Sequence, residues 1–183
     1  MKRRLVLIAT VVLVLTGLVG IGRGIDGLAA QEAPADFTGH AWVGTWMANT
    51  PSGLAPGYFA ADGSVVMGLQ ASQAGPMGVA FVSSAVGRWE PVDERTAHFT
   101  AVQILSDADG QFLGTITIDG YPVVNDDGQS FIDDGSQGSV TIRDAAHQIV
   151  ETITEPPTVT GVRMGVGVPG FPAAPPEAST PTT

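Results

Sequence analysis

Cysteine is absent from the 183-residue sequence, which excludes disulfides, thiolate metal ligands and a thiol nucleophile. Positive charge is almost as scarce. Four of the eight basic and one of the eighteen acidic residues precede Gln31, so the remainder has 4 basic and 17 acidic side chains, a net charge of −13, and no lysine. Such a surface repels nucleic acid and anionic lipid head groups, so we expect neither as a partner.

The sequence also lacks the common catalytic motifs. It has no Gly-x-Ser-x-Gly elbow, no Ser-x-x-Lys pair and no glycine-rich phosphate loop in a βαβ unit. The histidines, His40, His98 and His147, are widely separated, and the acidic turns at 106–111, 124–129 and 131–136 do not fit a calcium-loop template. Nothing singles out a carboxylate pair among the 17 acids. We therefore predict no catalytic residue, no metal and no cofactor, while leaving enzyme activity open.

The N-terminus has the pattern of an export signal. Three basic residues at positions 2–4 precede an uncharged apolar run, Leu5–Gly22, and small residues follow up to Ala30. This favours a signal peptide over residues 1–30 with cleavage near Ala29 or Ala30. The run is also long enough to span a bilayer, so an uncleaved membrane anchor stays open. Either alternative predicts a secreted or extracytoplasmic protein that touches a membrane only through this segment.

Composition divides the rest of the chain into three parts. Residues 31–40 are a polar, proline-containing linker, and residues 41–164 are the candidate domain. Residues 165–183 are rich in proline, alanine and threonine and have almost no charge, so we predict a disordered tail.

The candidate domain has the pattern of an all-β protein. Short β-rich runs alternate with turn dipeptides, of which Asp62–Gly63 between two apolar stretches is the strongest hairpin signal. Further turns are predicted at Asp109–Gly110, Asp127–Gly128 and Asp134–Gly135. The stretch 69–92 has no clean alternation, and a bulged strand, a lid or a helical turn all fit it. About eight strands with tight turns predict an antiparallel up-and-down barrel.

These residues carry a resemblance to a known fold. Gly44-Thr45-Trp46, the Asp62–Gly63 hairpin, a second Gly-x-Trp at Gly87–Trp89 and a terminal Gly-x-Arg at Gly161–Arg163 together resemble the small exported bacterial type of lipocalin-like (calycin) barrel. In lipocalins the tryptophan of the first strand closes the barrel floor, and an arginine of the last strand packs over it. The resemblance implies this closing role for Trp46 and Arg163. The usual lipocalin disulfide and C-terminal helix have no counterpart in this sequence.

Three functions remain open from the sequence. The resemblance favours binding of a small apolar ligand; the alternatives are a packed barrel acting as a surface or interaction module, and a barrel-type isomerase or cyclase. If the interior holds a ligand, we expect large apolar residues of the predicted strands to line it: Val65, Met67, Trp89, Phe99, Phe112, Ile116 and Ile118. The segment 69–84 would lie near the mouth. The acidic exterior favours neutral or cationic apolar compounds over fatty acids.

Overall fold

Apolar and polar residues alternate along the longest strand, and this period of two gives it one buried and one accessible face. The computed structural model of the protein describes residues 35–75 and 78–171, and in it Ala97–Ser106 alternates strictly between the two faces. Across those two ranges the chain forms thirteen strands in antiparallel pairs and no helix. The predicted all-β antiparallel class is confirmed.

The strands follow one another in chain order with mostly short connections. They are β1 (Gly44–Thr50), β2 (Gly53–Phe59), β3 (Ser64–Met67), β4 (Ser72–Gly75), β5 (Gly78–Val82), β6 (Ala85–Pro91), β7 (Ala97–Ser106), β8 (Phe112–Gly120), β9 (Val123–Val124), β10 (Ser130–Asp133), β11 (Ser139–Asp144), β12 (Ile149–Thr154) and β13 (Val159–Arg163).

The strands form a single curled sheet, a half-barrel. Their order is β12-β11-β8-β7-β6-β3-β2-β1-β13-β10-β9, and β5 connects the β4–β5 hairpin to β7. The first strand, β1, lies between β2 and the last strand, β13. The first and last strands of the described domain are therefore adjacent.

The two ends of this sheet differ. At the β9 end, Val123 bridges to Thr96, the amide of Val124 donates to the carbonyl of Arg95 (3.0 Å), and the amide of Ala97 donates to the carbonyl of Pro122 (3.2 Å). The β9 end is thus joined to the residues that begin β7. At the other end, β12 pairs with β11 alone, and all six of its residues are exposed.

Two prolines lie between β12 and the last strand, β13. Pro156 and Pro157 separate β12 from β13, and the ladder between β13 and β1 begins only at Thr160, opposite Asn49. Proline has no amide hydrogen and cannot donate to a neighbouring strand. The β1–β13 ladder ends at Thr160, and β12 does not pair with β1 in the described part of the chain.

Most of the predicted turns are hairpin turns. Asp62–Gly63, Asp109–Gly110 and Asp127–Gly128 connect β2 to β3, β7 to β8 and β9 to β10. Asp134–Gly135 differs, because it separates β10 from β11, two strands that do not pair. The segment 69–84, which the sequence predicts near the mouth, contains the β4–β5 hairpin, whose tip at residues 76–77 lies outside the described residues.

The segments that flank the domain are described only in part. Residues 1–34, which include the predicted leader, and residues 172–183 of the predicted tail lie outside the described residues. Within the predicted linker, Phe37 packs against the core. At the start of the predicted tail, Gly165 and Val168 form an isolated bridge. No helix in the described part of the chain is long and apolar enough to cross a membrane.

Candidate ligand-binding site

Trp46 and Arg163 lie side by side at one end of the half-barrel. They are direct partners in the β1–β13 ladder, and the guanidinium carbon of Arg163 lies 4.1 Å from the centroid of the Trp46 ring. This is cation–π geometry, which contributes about 0.5–2 kcal/mol depending on exposure. The indole of Trp46 is buried, and its Nε1 donates to the carbonyl of Trp42 (3.0 Å).

The guanidinium of Arg163 also ties three chain segments together. It donates to the carbonyls of Ala41 and Val43, which precede β1, and to the carbonyl of Gly128 in the β9–β10 turn. Partial burial lowers the pKa of Arg163, although an arginine stays charged at any physiological pH. Arg163 therefore fixes the start of β1 and a turn at the same end of the sheet.

A cluster of aromatic rings packs around Trp42, next to this pair. Trp42 lies 4.8 Å from Phe59, 4.9 Å from Phe131 and 5.0 Å from Trp46 between ring centroids. The Nε1 of Trp42 donates to the carbonyl of Pro122 (3.0 Å). Trp42 lies in the turn before β1, where the amide of Val43 donates to the carbonyl of His40 (3.0 Å), so strand alternation does not predict its position.

The half-barrel encloses a cavity of about 520 Å³. Its inner wall comprises buried residues, among them Trp42, Trp46, Ala55, Phe59, Gln103 and Phe131. Its exposed lining residues, which mark the mouth, are Pro51, Ser52, Ala74, Glu151, Ile153 and Pro157. The mouth thus lies between β12 and the β1–β2 hairpin. The segment 69–84, which the sequence predicts near the mouth, contributes Ala74 to it.

The structure separates the seven predicted lining residues into two groups. Met67, Phe99, Ile116 and Ile118 line the cavity. Val65 and Trp89 are buried in the core cluster beside it, and Phe112 is 43% exposed; these three do not line the cavity.

Each residue of the second group has other neighbours. Val65 is 1% exposed within the core. The ring of Trp89 lies 4.9 Å from Phe37 and 5.3 Å from His40, and its Nε1 donates to the carbonyl of Ala60 (2.9 Å). Trp89 therefore packs the lead-in segment onto the sheet.

A β-bulge turns Phe112 away from the interior. Leu105 on β7 is opposite Gly114, whereas the next residue, Ser106, is opposite Phe112, so β8 has one extra residue at this point. A bulge of this kind reverses the alternation of side chains beyond it. Gly114 has a φ of +148°, and a Cβ there would lie 1.9 Å from the carbonyl oxygen of Arg143. Strict alternation back from Ile116 places Phe112 on the inner face of the sheet, whereas the bulge places it on the outer face.

The cavity wall contains acids and no bases. Asp119, Asp133 and Glu151 are among the described lining residues, and none of those is lysine, arginine or histidine. Asp133 accepts hydrogen bonds from the amides of Gly135 (3.0 Å) and Tyr121 (3.1 Å). Burial nevertheless raises the pKa of Asp133, because loss of water penalises the carboxylate more than these two bonds stabilise it.

The histidines lie outside the cavity and apart from one another. The Nδ1 of His40 accepts from the amide of Trp42, so its Nε2 carries the proton that is donated to the carbonyl of Asp93 (2.6 Å). His98 contacts Asp119 (3.1 Å) and stacks on Tyr121. Over residues 35–75 and 78–171, no cluster of three or more histidine, aspartate and glutamate side chains could hold a metal ion.

Comparison with known proteins gives no relative for this chain. No family model, no curated protein and no solved structure matches it. The arguments below therefore rest on the residues themselves.

Proposed function

We propose that the protein binds a small apolar molecule in the cavity of the half-barrel. The cavity of about 520 Å³ carries this proposal. Ligand sites in proteins usually enclose about 300–1,000 Å³, with mostly apolar walls and a few polar groups. Aromatic and aliphatic side chains such as Phe59, Phe99 and Ile116 form the wall here. This volume counts against the alternative of a packed barrel without a ligand.

The charge of the wall restricts the ligand. A buried carboxylate or phosphate on a ligand needs a cation or several hydrogen-bond donors nearby. The described lining residues provide acids but no basic side chain. The ligand that fits this wall is neutral or cationic, and fatty acids are disfavoured.

We also propose that the half-barrel is a lipocalin-like barrel of about eight strands, three of which are bent. β8 and β9, β10 and β11, and β12 and β13 are separated only by short breaks. Each of these three pairs of strands would be one bent strand. At one end of the bent strands β9 pairs with β10 and β10 pairs with β13; at the other end β8 pairs with β11 and β11 pairs with β12. The three bent strands therefore follow the same order at both ends. Counting each bent strand once, and setting aside the β4–β5 hairpin, gives eight. The resemblance and the leader together support an exported protein.

Titration of the exported full chain tests the binding proposal. Trp42 and Trp46 line the cavity and Trp89 does not, so tryptophan fluorescence should report an occupant directly. Farnesol, a neutral terpenoid alcohol, is expected to give a saturable change that persists in Trp89→Phe. Palmitate at the same concentrations is expected to give little change. Saturable binding of palmitate without farnesol would contradict the charge argument, and no saturable change with either would contradict the binding proposal.

One observation favours a second candidate function, a barrel-type isomerase or cyclase. Asp133 lines the cavity and holds its proton to a higher pH than an ordinary carboxyl, as a general acid must. Incubation of the wild type and Asp133→Asn with terpenoid substrates, followed by product analysis, tests it. Turnover by the wild type that is lost in the variant would support this candidate, and equal absence of products would count against it.

A further inference from the structure

Gln103 is the one polar residue of the described chain whose side chain is almost completely buried. It is 1% exposed and lies on the inner face of β7, between Ala101 and Leu105. Its partner across the sheet is Ile116 on β8, and both residues line the cavity. A polar side chain therefore interrupts an apolar stripe in the middle of the cavity wall.

The orientation of the Gln103 amide is fixed by its neighbour Ser83. The Nε2 of Gln103 donates to the carbonyl of Ser83 (3.2 Å). Ser83 is itself held by β7, because its amide donates to the carbonyl of Ile104 (3.1 Å) and its hydroxyl accepts from the amide of Ile104 (3.0 Å). A carbonyl only accepts hydrogen bonds, so the amide nitrogen must face Ser83. The Oε1 of Gln103 is then left as the group available to the cavity.

No described residue donates a hydrogen bond to this oxygen. Gln103 lines the cavity, so cavity water can donate to Oε1 while no ligand is bound. A ligand that displaces this water without supplying a donor leaves the oxygen unsatisfied, which costs binding free energy. The Ile116 side chain opposite and the apolar neighbours on β7 provide no donor. The donor to Oε1 is therefore supplied by whatever occupies the cavity, water or a ligand.

We propose that Gln103 accepts a hydrogen bond from a hydroxyl or N–H group of the ligand. This inference rests on the proposed function and names the ligand class more closely. Hydrocarbons, ethers, ketones and esters have no donor and leave Oε1 unsatisfied. An apolar alcohol or amine satisfies it, and the absence of basic residues from the described lining is consistent with a ligand that donates.

A pair of probes that differ in one donor tests the role of Gln103. Farnesol and farnesyl methyl ether share the same apolar chain, and only the alcohol can donate. In the wild-type full chain, farnesol should bind about two- to tenfold more tightly, the value of one neutral hydrogen bond. In Gln103→Leu this preference should disappear or reverse, while the ether binds at least as well as it does to the wild type.

Gln70→Leu is the matched control. The Oε1 of Gln70 is buried without a partner among the described residues, and Gln70 does not line the cavity. The control should keep the wild-type preference for the alcohol. If Gln103→Leu does not fold, equal affinity of the wild type for the two probes still overturns the role of Gln103.

The outcomes separate the two proposals. Saturable binding of both probes with equal affinity by the wild type would overturn the role of Gln103 and leave the binding function standing. An unchanged preference for the alcohol in folded Gln103→Leu would also overturn it. Absence of saturable binding by either probe would overturn the binding function, and with it the inference.

Discussion

A Cβ atom on Gly44 would lie 2.6 Å from Nη1 of Arg163. The glycine of the first Gly-x-Trp motif is thus explained by the arginine of the terminal Gly-x-Arg motif, more than a hundred residues further along the chain. The guanidinium occupies the space beside Gly44, where it contacts the Trp46 ring and the carbonyl of Val43.

Substitution of Gly44 by alanine should therefore destabilise the protein by about 1–3 kcal/mol or more. The new methyl group meets Arg163, and the φ of +136° strains any residue with a Cβ. Gly39→Ala is the matched control, because Gly39 has a φ of +146° but nothing within 4 Å of its Cβ position. Urea denaturation should show a larger loss for Gly44→Ala; equal losses would mean that backbone strain alone is responsible.

The contact between Trp46 and Arg163 can be measured by a double-mutant cycle. Trp46→Ala should cost about 3–5 kcal/mol as a large-to-small change in the core. Arg163→Ala should cost less, and the coupling energy should be about 0.5–2 kcal/mol. The same cycle between Trp89 and Arg163 is the control, since Trp89 packs against Phe37 and His40 instead. A coupling near zero for Trp46 would contradict the contact.

The raised pKa of Asp133 predicts a specific pH dependence of stability. The folded protein holds the Asp133 proton above the ordinary pKa of 3.8, where the unfolded chain has already lost it. Since the folded state then binds more protons, the contribution of Asp133 to stability falls as the pH rises from about 3.8 through its folded pKa, and is constant above that value. Urea titrations over a pH series should show this as a fall in the free energy of unfolding of the wild type relative to that of Asp133→Asn as the pH rises above about 3.8.

Asp134→Asn provides the opposite case for comparison. The side chain of Asp134 is fully exposed, and hydrogen bonds from Ser136 lower its pKa below 3.8. Its contribution to stability is present above pH 3.8 and is lost as the pH falls through the lowered value. If both variants changed with pH in the same direction, the assignment of the raised pKa to Asp133 would be wrong.

Alanine substitutions of Ile116 and Phe112 should affect stability very differently, although both are large apolar residues of β8. Ile116→Ala should lower stability by about 2–5 kcal/mol, because it removes buried methyl groups from the cavity wall. Phe112→Ala should change stability by less than about 1 kcal/mol, because its ring is 43% exposed. Thermal unfolding of the two variants and farnesol titration compare them. A large loss of binding in Phe112→Ala alone would contradict the position of the cavity.

Local patterns predicted the part of the fold that local chemistry determines. Asp-Gly dipeptides and period-two alternation gave the strands and three hairpins, because turn preference and face selection act over a few residues. Asp134–Gly135 carries the same turn signal, yet it separates two strands that do not pair. The difference comes from the other strands, because β10 already pairs with β9 and β13 and β11 already pairs with β8 and β12, and no neighbouring residue reveals such long-range pairing.

The candidate site was predicted less completely, for the same reason. Met67, Phe99, Ile116 and Ile118 follow simple alternation and line the cavity. The bulge at Gly114, set by the approach of the Arg143 carbonyl from another strand, moved Phe112 off that face. Gln103 has the same inward parity as Phe99 and Leu105, but the apolar Val102 and Ile104 on either side of it obscure the alternation of β7 in the sequence. Only the cavity beside it shows why its burial matters.

The unpaired edge of β12 bears on how this protein behaves in concentrated solution. Exposed strand edges are templates for sheet extension between molecules, and β12 presents Ile149, Val150 and Ile153 to solvent. Glu151 lies in the middle of that edge. Two copies that docked antiparallel about this residue would bring identical carboxylates face to face, a repulsion that disfavours cross-strand pairing. Glu151, together with the strongly acidic surface, therefore disfavours this register of pairing between two copies. Acidic pH or high salt, which neutralise or screen that charge, should be the conditions under which the protein first aggregates.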